Sequence, residues 1–336
     1  MSNPLTDLIA EKGVLLADGA TGTNLFAMGL ASGEAPELWN GSAPQKVTLL
    51  HQDFVDAGSD IILTNSFGGT RYRLKLHRAE ERVFELNRKA AELARAVAEG
   101  ADRKVIVGGS VGPTGELLAP LGALSFEEAV AAFREQIEGL KAGGADIAWI
   151  ETMSSPDEIR AAAQAAIEVG MPYTFTGSFD TAGKTMMGLH PKEIHGVTAD
   201  CPEQPLAVGA NCGVGAPDIL SSLLDMSEAQ PGATLIVKGN CGVPEFRGDQ
   251  IVYSGTPALM AEYAHLAIDA GATVIGGCCG TTCEHLRAMR KALDEHRRGP
   301  RPTLEDIVRR IGPLRNRVAG SDEGPPRRER RGRRRG

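Results

Sequence analysis

The 336-residue chain is 42% hydrophobic but only 4% aromatic, so its core must be built from small and branched aliphatic side chains. Formal charge is −7, and the last ten residues, RRERRGRRRG, contribute +6; the −13 left on the rest argues against a nucleic-acid-binding body. The N-terminus, MSNPLTDLIAEKG, lacks the basic-then-apolar pattern of a secretory leader, and no apolar run approaches the roughly 20 residues of a membrane helix. The expectation is a cytoplasmic protein whose six cysteines stay reduced.

In chain order, short β-rich runs that end in glycine or polar residues alternate with helical stretches. Strands are expected at 14–20 (VLLADGA), 60–66 (DIILTNS) and 105–111 (VIVGGSV), with a helix at 80–99. A helix over 125–142 opens on Ser125 with Glu128 three residues later, a capping box, and carries Phe126, Val130, Phe133, Ile137 and Leu140 on one face. A strand at 147–152 (IAWIET), a helix at 156–169 and strands at 173–179, 206–212 and 234–240 follow. A helix at 257–265, a strand at 273–279 (TVIGGCC) and a helix at 284–296 complete the pattern. Eight such repeats predict a single-domain (β/α)8 TIM barrel over 1–298. A doubly wound open sheet is the alternative, but neither G-x-G-x-x-G nor a P-loop occurs. A C-terminal extension at 299–319 includes a helix at 301–317; the Gly-, Pro- and Arg-rich stretch 320–336 reads as a disordered tail.

Chemistry in such a barrel sits at the C-terminal ends of the strands. Those ends present Asp18-Gly19, Asn65-Ser66-Phe67, Glu151-Thr152, Asn211-Cys212, Asn240-Cys241 and Cys278-Cys279. Four of six cysteines therefore converge on one rim. Three thiolates from Cys212, Cys278 and Cys279 suit Zn2+ with one coordination position left open, the pattern of a catalytic site. Gly276, Gly277 and Gly280 would supply the bend that lets adjacent cysteines reach one ion. A vicinal disulfide and inert buried thiols are the alternatives. Cys241 reads as packing beside the site, Cys201 and Cys283 as structural. In a phosphate-binding barrel, Gly239, Gly276 and Gly277 would instead cradle a phosphate, leaving the cysteines unexplained.

With DGATGT at 18–23, TNSFGGT at 64–70, GANCGVG at 209–215 and GGCCGT at 276–281, the sequence resembles the homocysteine S-methyltransferase family. That family includes betaine-dependent, S-methylmethionine-dependent and cobalamin-dependent members, and the resemblance runs to about residue 296. It implies an S-methyltransferase of methionine biosynthesis, with zinc on Cys212, Cys278 and Cys279 and homocysteine as acceptor. It also implies Glu151 on the substrate ammonium and Asp18 and Gly19 beside the substrate. Asn65 and Asn211 are further candidates, for binding substrate or for steadying the cysteine loop. The donor implied is betaine or a similar small onium compound, for which Trp39 and Tyr72 are the candidate aromatic contacts. The alternative is a homocysteine-activating subunit that takes methyl from a separate corrinoid protein. Thr152 stands where animal betaine enzymes carry a tyrosine, and TNSFGGT is closer to the methionine synthase form. The resemblance also implies a homo-oligomer.

Overall fold

Eight parallel strands form one sheet in the computed structural model, which describes residues 3–242, 244–247 and 250–316. They are β1 (Leu15–Leu16), β2 (Ile61–Leu63), β3 (Ile106–Val111), β4 (Ile147–Met153), β5 (Tyr173–Gly177), β6 (Val208–Cys212) and β7 (Leu235–Gly239). After an antiparallel hairpin of β8 (Pro244–Arg247) and β9 (Gln250–Tyr253) comes the eighth, β10 (Val274–Gly277). The order is β1-β10-β7-β6-β5-β4-β3-β2. The remaining seam is closed by a parallel bridge between Ala17 and Ile61 and by the Asp60 N–H donating to the Leu16 carbonyl at 2.7 Å. The fold is the expected TIM barrel. The hairpin is an addition that the strand–helix alternation does not announce.

Alternation along each strand divides the core. Leu15, Ala17, Ile61, Leu63, Ile106, Ile147, Trp149, Ile236 and Val274 fill the barrel interior. Leu5 and Leu8 of the first helix (Pro4–Lys12) plug its N-terminal end. The intervening Leu16, Ile62, Val107, Ile150, Val237 and Ile275 belong to the outer layer between sheet and helices. With few aromatics available, that layer uses alanine: Ala161, Ala162, Ala163, Ala165 and Ala166 are all fully buried.

The expected helices form at Val83–Gly100, Phe126–Ala142, Pro156–Val169, Pro257–Asp269 and Cys283–Glu295. The Ser125–Glu128 capping box is in place, the Ser125 N–H donating to Glu128 Oε2 at 2.9 Å. Helices at Pro44–Asp56 and Ala216–Ala229 also flank the barrel, whereas β5 and β6 are joined by a 3-10 turn at Pro191–Gly196 rather than by a helix. The terminal helix is shorter than expected, Leu304–Ile311, because Gly312 (φ 104°) and Pro313 end it. Its Ile307 and Ile311 are buried, and Arg310 pairs with Glu262 at 2.9 Å. The expected tail, 320–336, lies outside the described residues. Among the described residues no helix is long and apolar enough to cross a membrane.

Candidate active site

The end of β6 and the loop after β10 bring Cys212, Cys278 and Cys279 together, their sulfurs within 4.8 Å of one another. Among the described residues this is the only cluster of three or more His, Cys, Asp or Glu side chains that could hold a metal. The backbone is shaped for it. Cys212 adopts φ 63°, a left-handed conformation that costs a non-glycine residue about 1–3 kcal/mol and persists only where neighbours enforce it. Gly280 (φ 79°) permits the turn that follows the cysteine pair; a Cβ there would also lie 2.3 Å from the Tyr253 ring. All six cysteines are free thiols. Mutual contacts among the three thiols, together with burial, push Cys212 and Cys279 up to about 12 and raise Cys278 as well. Three converging, half-enclosed sulfurs fit a divalent metal site, in which a bound dication would supply the charge that lets them bind as thiolates.

Two asparagines steady the sulfurs. Asn240 directs its amide toward Cys212 Sγ at 3.7 Å and donates to the Gly213 carbonyl at 2.7 Å, while its Oδ1 accepts the Cys279 N–H at 3.0 Å. Asn211 reaches toward Cys278 Sγ at 3.9 Å and donates to Thr152 Oγ1 at 2.7 Å. Its Oδ1 accepts from the Thr152 N–H at 2.8 Å and from Thr176 Oγ1 at 2.6 Å. Thr152 is itself left-handed, at φ 63°. Of the two roles open for Asn211, the geometry favours steadying the loop. Cys241 is fully buried beside the site, its N–H donating to the Cys279 carbonyl at 2.9 Å, in line with a packing role. Cys201 and Cys283 pack against the outer core, away from the trio.

A cavity of about 610 Å3 opens above the cysteines, lined among others by Gly19, Asn65, Ser66, Glu151, Thr152, Lys238 and the trio itself. Glu151 is 8% exposed, and its Oε1 accepts from Ser110 Oγ at 2.5 Å. Burial raises its pKa, and Lys238 works against that rise. A buried carboxyl of this kind gains charge when a cation arrives. Gly19 is required by close approach: a Cβ would stand 2.6 Å from the Thr281 carbonyl oxygen.

Four further candidates are placed as follows. Asp18 does not line the cavity: it is fully buried, with Oδ1 2.6 Å from Lys238 Nζ and Oδ2 accepting the Leu63 N–H at 2.7 Å. It serves Lys238 rather than reaching substrate. Burial works against the Lys238 charge, but Asp18 and Glu151 outweigh it and raise the Lys238 pKa, while burial raises the Asp18 pKa against the pull of Lys238. Trp39 is 5% exposed in the outer core, its indole N–H donating to Glu34 at 3.2 Å. Tyr72 is half-buried against the same core, and neither ring lines the cavity. Among the described residues the phenyl rings lining the cavity are instead Phe26 and Phe67, 49% and 38% exposed. Asn65 does line the cavity, but its amide is spent on the Pro36 carbonyl (2.7 Å) and Asn40 Oδ1 (3.0 Å), so it braces the 36–40 segment.

Lys238, Ser110 and Asn240 carry much of this geometry and were not among the sequence candidates. Lys238 had a signal, a lone lysine inside an apolar strand, LIVKG. Tyr253, whose hydroxyl hydrogen-bonds Cys279, sits on the unforeseen hairpin.

A parallel barrel with a three-thiol cluster and a buried carboxyl at the C-terminal ends of its strands defines a class: barrel proteins with a thiol trio that could hold a metal beside a ligand-sized cavity. The comparisons narrow it. The family model described as "Homocysteine S-methyltransferase" matches residues 15–293. The chain belongs to that family. It is 29% identical over 314 residues to the methionine synthase of Mycobacterium tuberculosis, a match spanning 88% of this chain and 26% of that protein, so the chain spans about a quarter of that relative. The homocysteine methyltransferase MmuM from Escherichia coli superposes in its metallated form with a TM-score of 0.72 at 26% identity, over 86% of this chain and 99% of that one. Its oxidised form gives 0.73 at 27% identity, over the same shares.

Proposed function

We propose that the protein is a zinc-dependent homocysteine S-methyltransferase that transfers a methyl group from betaine or a similar small onium donor to homocysteine, forming methionine. The single observation that carries this reading is the convergence of Cys212, Cys278 and Cys279 within 4.8 Å, beside a cavity that also holds Glu151. Cys212, Cys278 and Cys279 would hold the zinc. Bound there, zinc supplies Lewis acidity that makes a thiol with an ordinary pKa of about 8.5 available as thiolate at neutral pH.

The chain's own residues do the rest. Glu151, oriented by Ser110, takes the homocysteine ammonium. Lys238 balances Glu151 and is itself anchored by Asp18. The Asn211 and Asn240 amides aim partial positive charge at Cys278 and Cys212. Phe26 and Phe67 wall the space above with apolar surface and limit water around the sulfur. In the transfer, the homocysteine sulfur forms a bond to the methyl carbon while the donor's carbon–nitrogen bond breaks. The nitrogen keeps the electron pair and leaves as a neutral tertiary amine, so no general base is needed at that step.

The test is a donor screen on zinc-loaded protein with homocysteine, comparing betaine, S-methylmethionine, dimethylsulfonio compounds and methylcobalamin, with methionine read by mass spectrometry. Methionine from betaine without any corrinoid protein supports the reading. Methionine only on addition of a methyl-corrinoid protein transfers the assignment to the split methionine synthase alternative.

A further inference from the structure

The onium-donor reading leaves a charge problem. A quaternary ammonium brought into a half-enclosed cavity loses hydration and needs a counter-charge. Glu151 is committed to the substrate ammonium and Asp18 to Lys238. Among the described residues one further fully buried carboxylate lines the cavity, beside the half-buried Glu34: Glu37, 5% exposed, on the 3-10 turn Pro36–Leu38. Its Oε1 accepts the Gly68 N–H at 2.6 Å. Among the described residues no Lys, Arg or His nitrogen lies within the 4.0 Å of an ion pair with it. Burial raises its pKa, with the Glu37 and Gly68 N–H groups and the more distant Arg73 and His77 working against that.

The carboxylate is firmly held. Asn65 donates to the Pro36 carbonyl, Asn40 donates to the Asn65 carbonyl at 2.8 Å, and together they tie the turn to the loop after β2. A Cβ on Gly68 would lie 3.0 Å from Glu37 Oε1, so glycine there is what lets the loop approach the carboxylate. Phe26 and Phe67 line the same cavity and offer ring faces of the kind that attract onium groups. Arg73 and His77 also line it and carry the opposite charge preference.

We propose that Glu37 is the counter-charge that recognises the cationic centre of the methyl donor, with Phe26 and Phe67 beside it and Arg73 facing the donor's carboxylate. The site thereby selects zwitterionic donors, in which an onium centre and a carboxylate are joined by a short link. This rests on the onium-donor reading and deepens it by assigning the donor's charge recognition to residues that a cysteine-based argument does not touch.

Glu37→Gln isolates the charge, because a glutamine oxygen can still accept the Gly68 N–H, and Glu37→Asp keeps the charge with a shorter reach. Zinc-loaded wild type and both variants are compared in binding of betaine and its isostere 3,3-dimethylbutyrate, which keeps the carboxylate but has a neutral carbon in place of the ammonium nitrogen, by calorimetry, and in KM for betaine and for homocysteine. The expected result is a wild-type preference for betaine over the isostere that Glu37→Gln abolishes. Betaine KM should rise about tenfold or more in that variant, in line with removal of one partner from a buried charge pair. Homocysteine KM and zinc content should hold within about twofold, and Glu37→Asp should recover part of the preference. Equal preference for betaine over its isostere in wild type and Glu37→Gln, or an equal rise in both KM values, overturns the inference while leaving the methyltransferase reading intact. Wild type that makes no methionine from any onium donor overturns the reading, and the binding comparison still decides whether Glu37 selects cations.

Discussion

Replacing Lys238 by methionine tests the polar scaffold beneath the cavity. Lys238 Nζ and Asp18 Oδ1 are 2.6 Å apart, with side chains 3% and 0% exposed. At that separation and an effective dielectric of about 20 the attraction is about 6 kcal/mol before desolvation of either group. Most of that is offset by the cost of burial, so the pair as a whole contributes little net. Lys238→Met removes the attraction but leaves the Asp18 carboxylate buried, with the backbone N–H groups of Leu63 and of Asp18 itself as donors. The expected loss is about 3–5 kcal/mol, from about a fifth to the whole of a typical folding free energy of about 5–15 kcal/mol. The double variant Asp18→Asn/Lys238→Met removes both charges, and should recover at least half of that loss. Urea unfolding of the four proteins closes the cycle and gives the coupling energy directly. A Lys238→Met loss below about 1 kcal/mol, or a double variant no more stable than Lys238→Met, would refute the reasoning.

Four further outcomes follow from the geometry. Cys279→Ser should lower bound zinc well below one per chain and abolish methionine formation while the thermal unfolding temperature of the zinc-free protein stays within a few degrees; retention of full zinc and activity would remove Cys279 from the ligand set. Gly19→Ala forces a Cβ to within 2.6 Å of the Thr281 carbonyl, and should cost about 1–3 kcal/mol in urea unfolding and weaken zinc retention, because Thr281 follows the cysteine turn. Ser110→Ala removes the hydroxyl that orients Glu151 and should raise homocysteine KM several-fold with little change in betaine KM. His51 is fully buried, neither ring nitrogen has a hydrogen-bond partner, and burial lowers its pKa to about 4. Its neutral form belongs to the folded state, so its contribution is complete above the unfolded pKa of about 6.5 and fades as pH falls toward 4. Between pH 6.5 and 4 that loss is about 3 kcal/mol, and a His51→Phe variant should show a correspondingly shallower stability profile on acidification.

The barrel was legible because its signals are local and repeated. Each strand is a short apolar run, each helix carries a cap or an apolar stripe, and GGCC stands at the one place where two thiols must turn together. Cys212, Cys278, Cys279, Gly19 and Glu151 were found because they punctuate strand ends. Residues that act through tertiary partners were harder to see. Nothing near Lys238 in sequence indicates that Asp18, 220 positions away, will neutralise it. Trp39 and Tyr72 were chosen for ring chemistry near rim loops, yet helical packing turned Trp39 into the outer core and left Phe26 and Phe67 at the cavity. The hairpin of β8 and β9 breaks the strand–helix rhythm, so Tyr253 escaped notice.

Asn211 ties the two left-handed strand ends together, since its side chain holds Thr152 by backbone and hydroxyl while its own backbone leads into Cys212. Divergence at position 152 is therefore epistatic with position 211. A side chain without a hydroxyl in that place would leave Asn211 held only through its Oδ1, by the residue-152 N–H and Thr176 Oγ1, so a change on β4 alters the support of Cys278 from across the intervening β5.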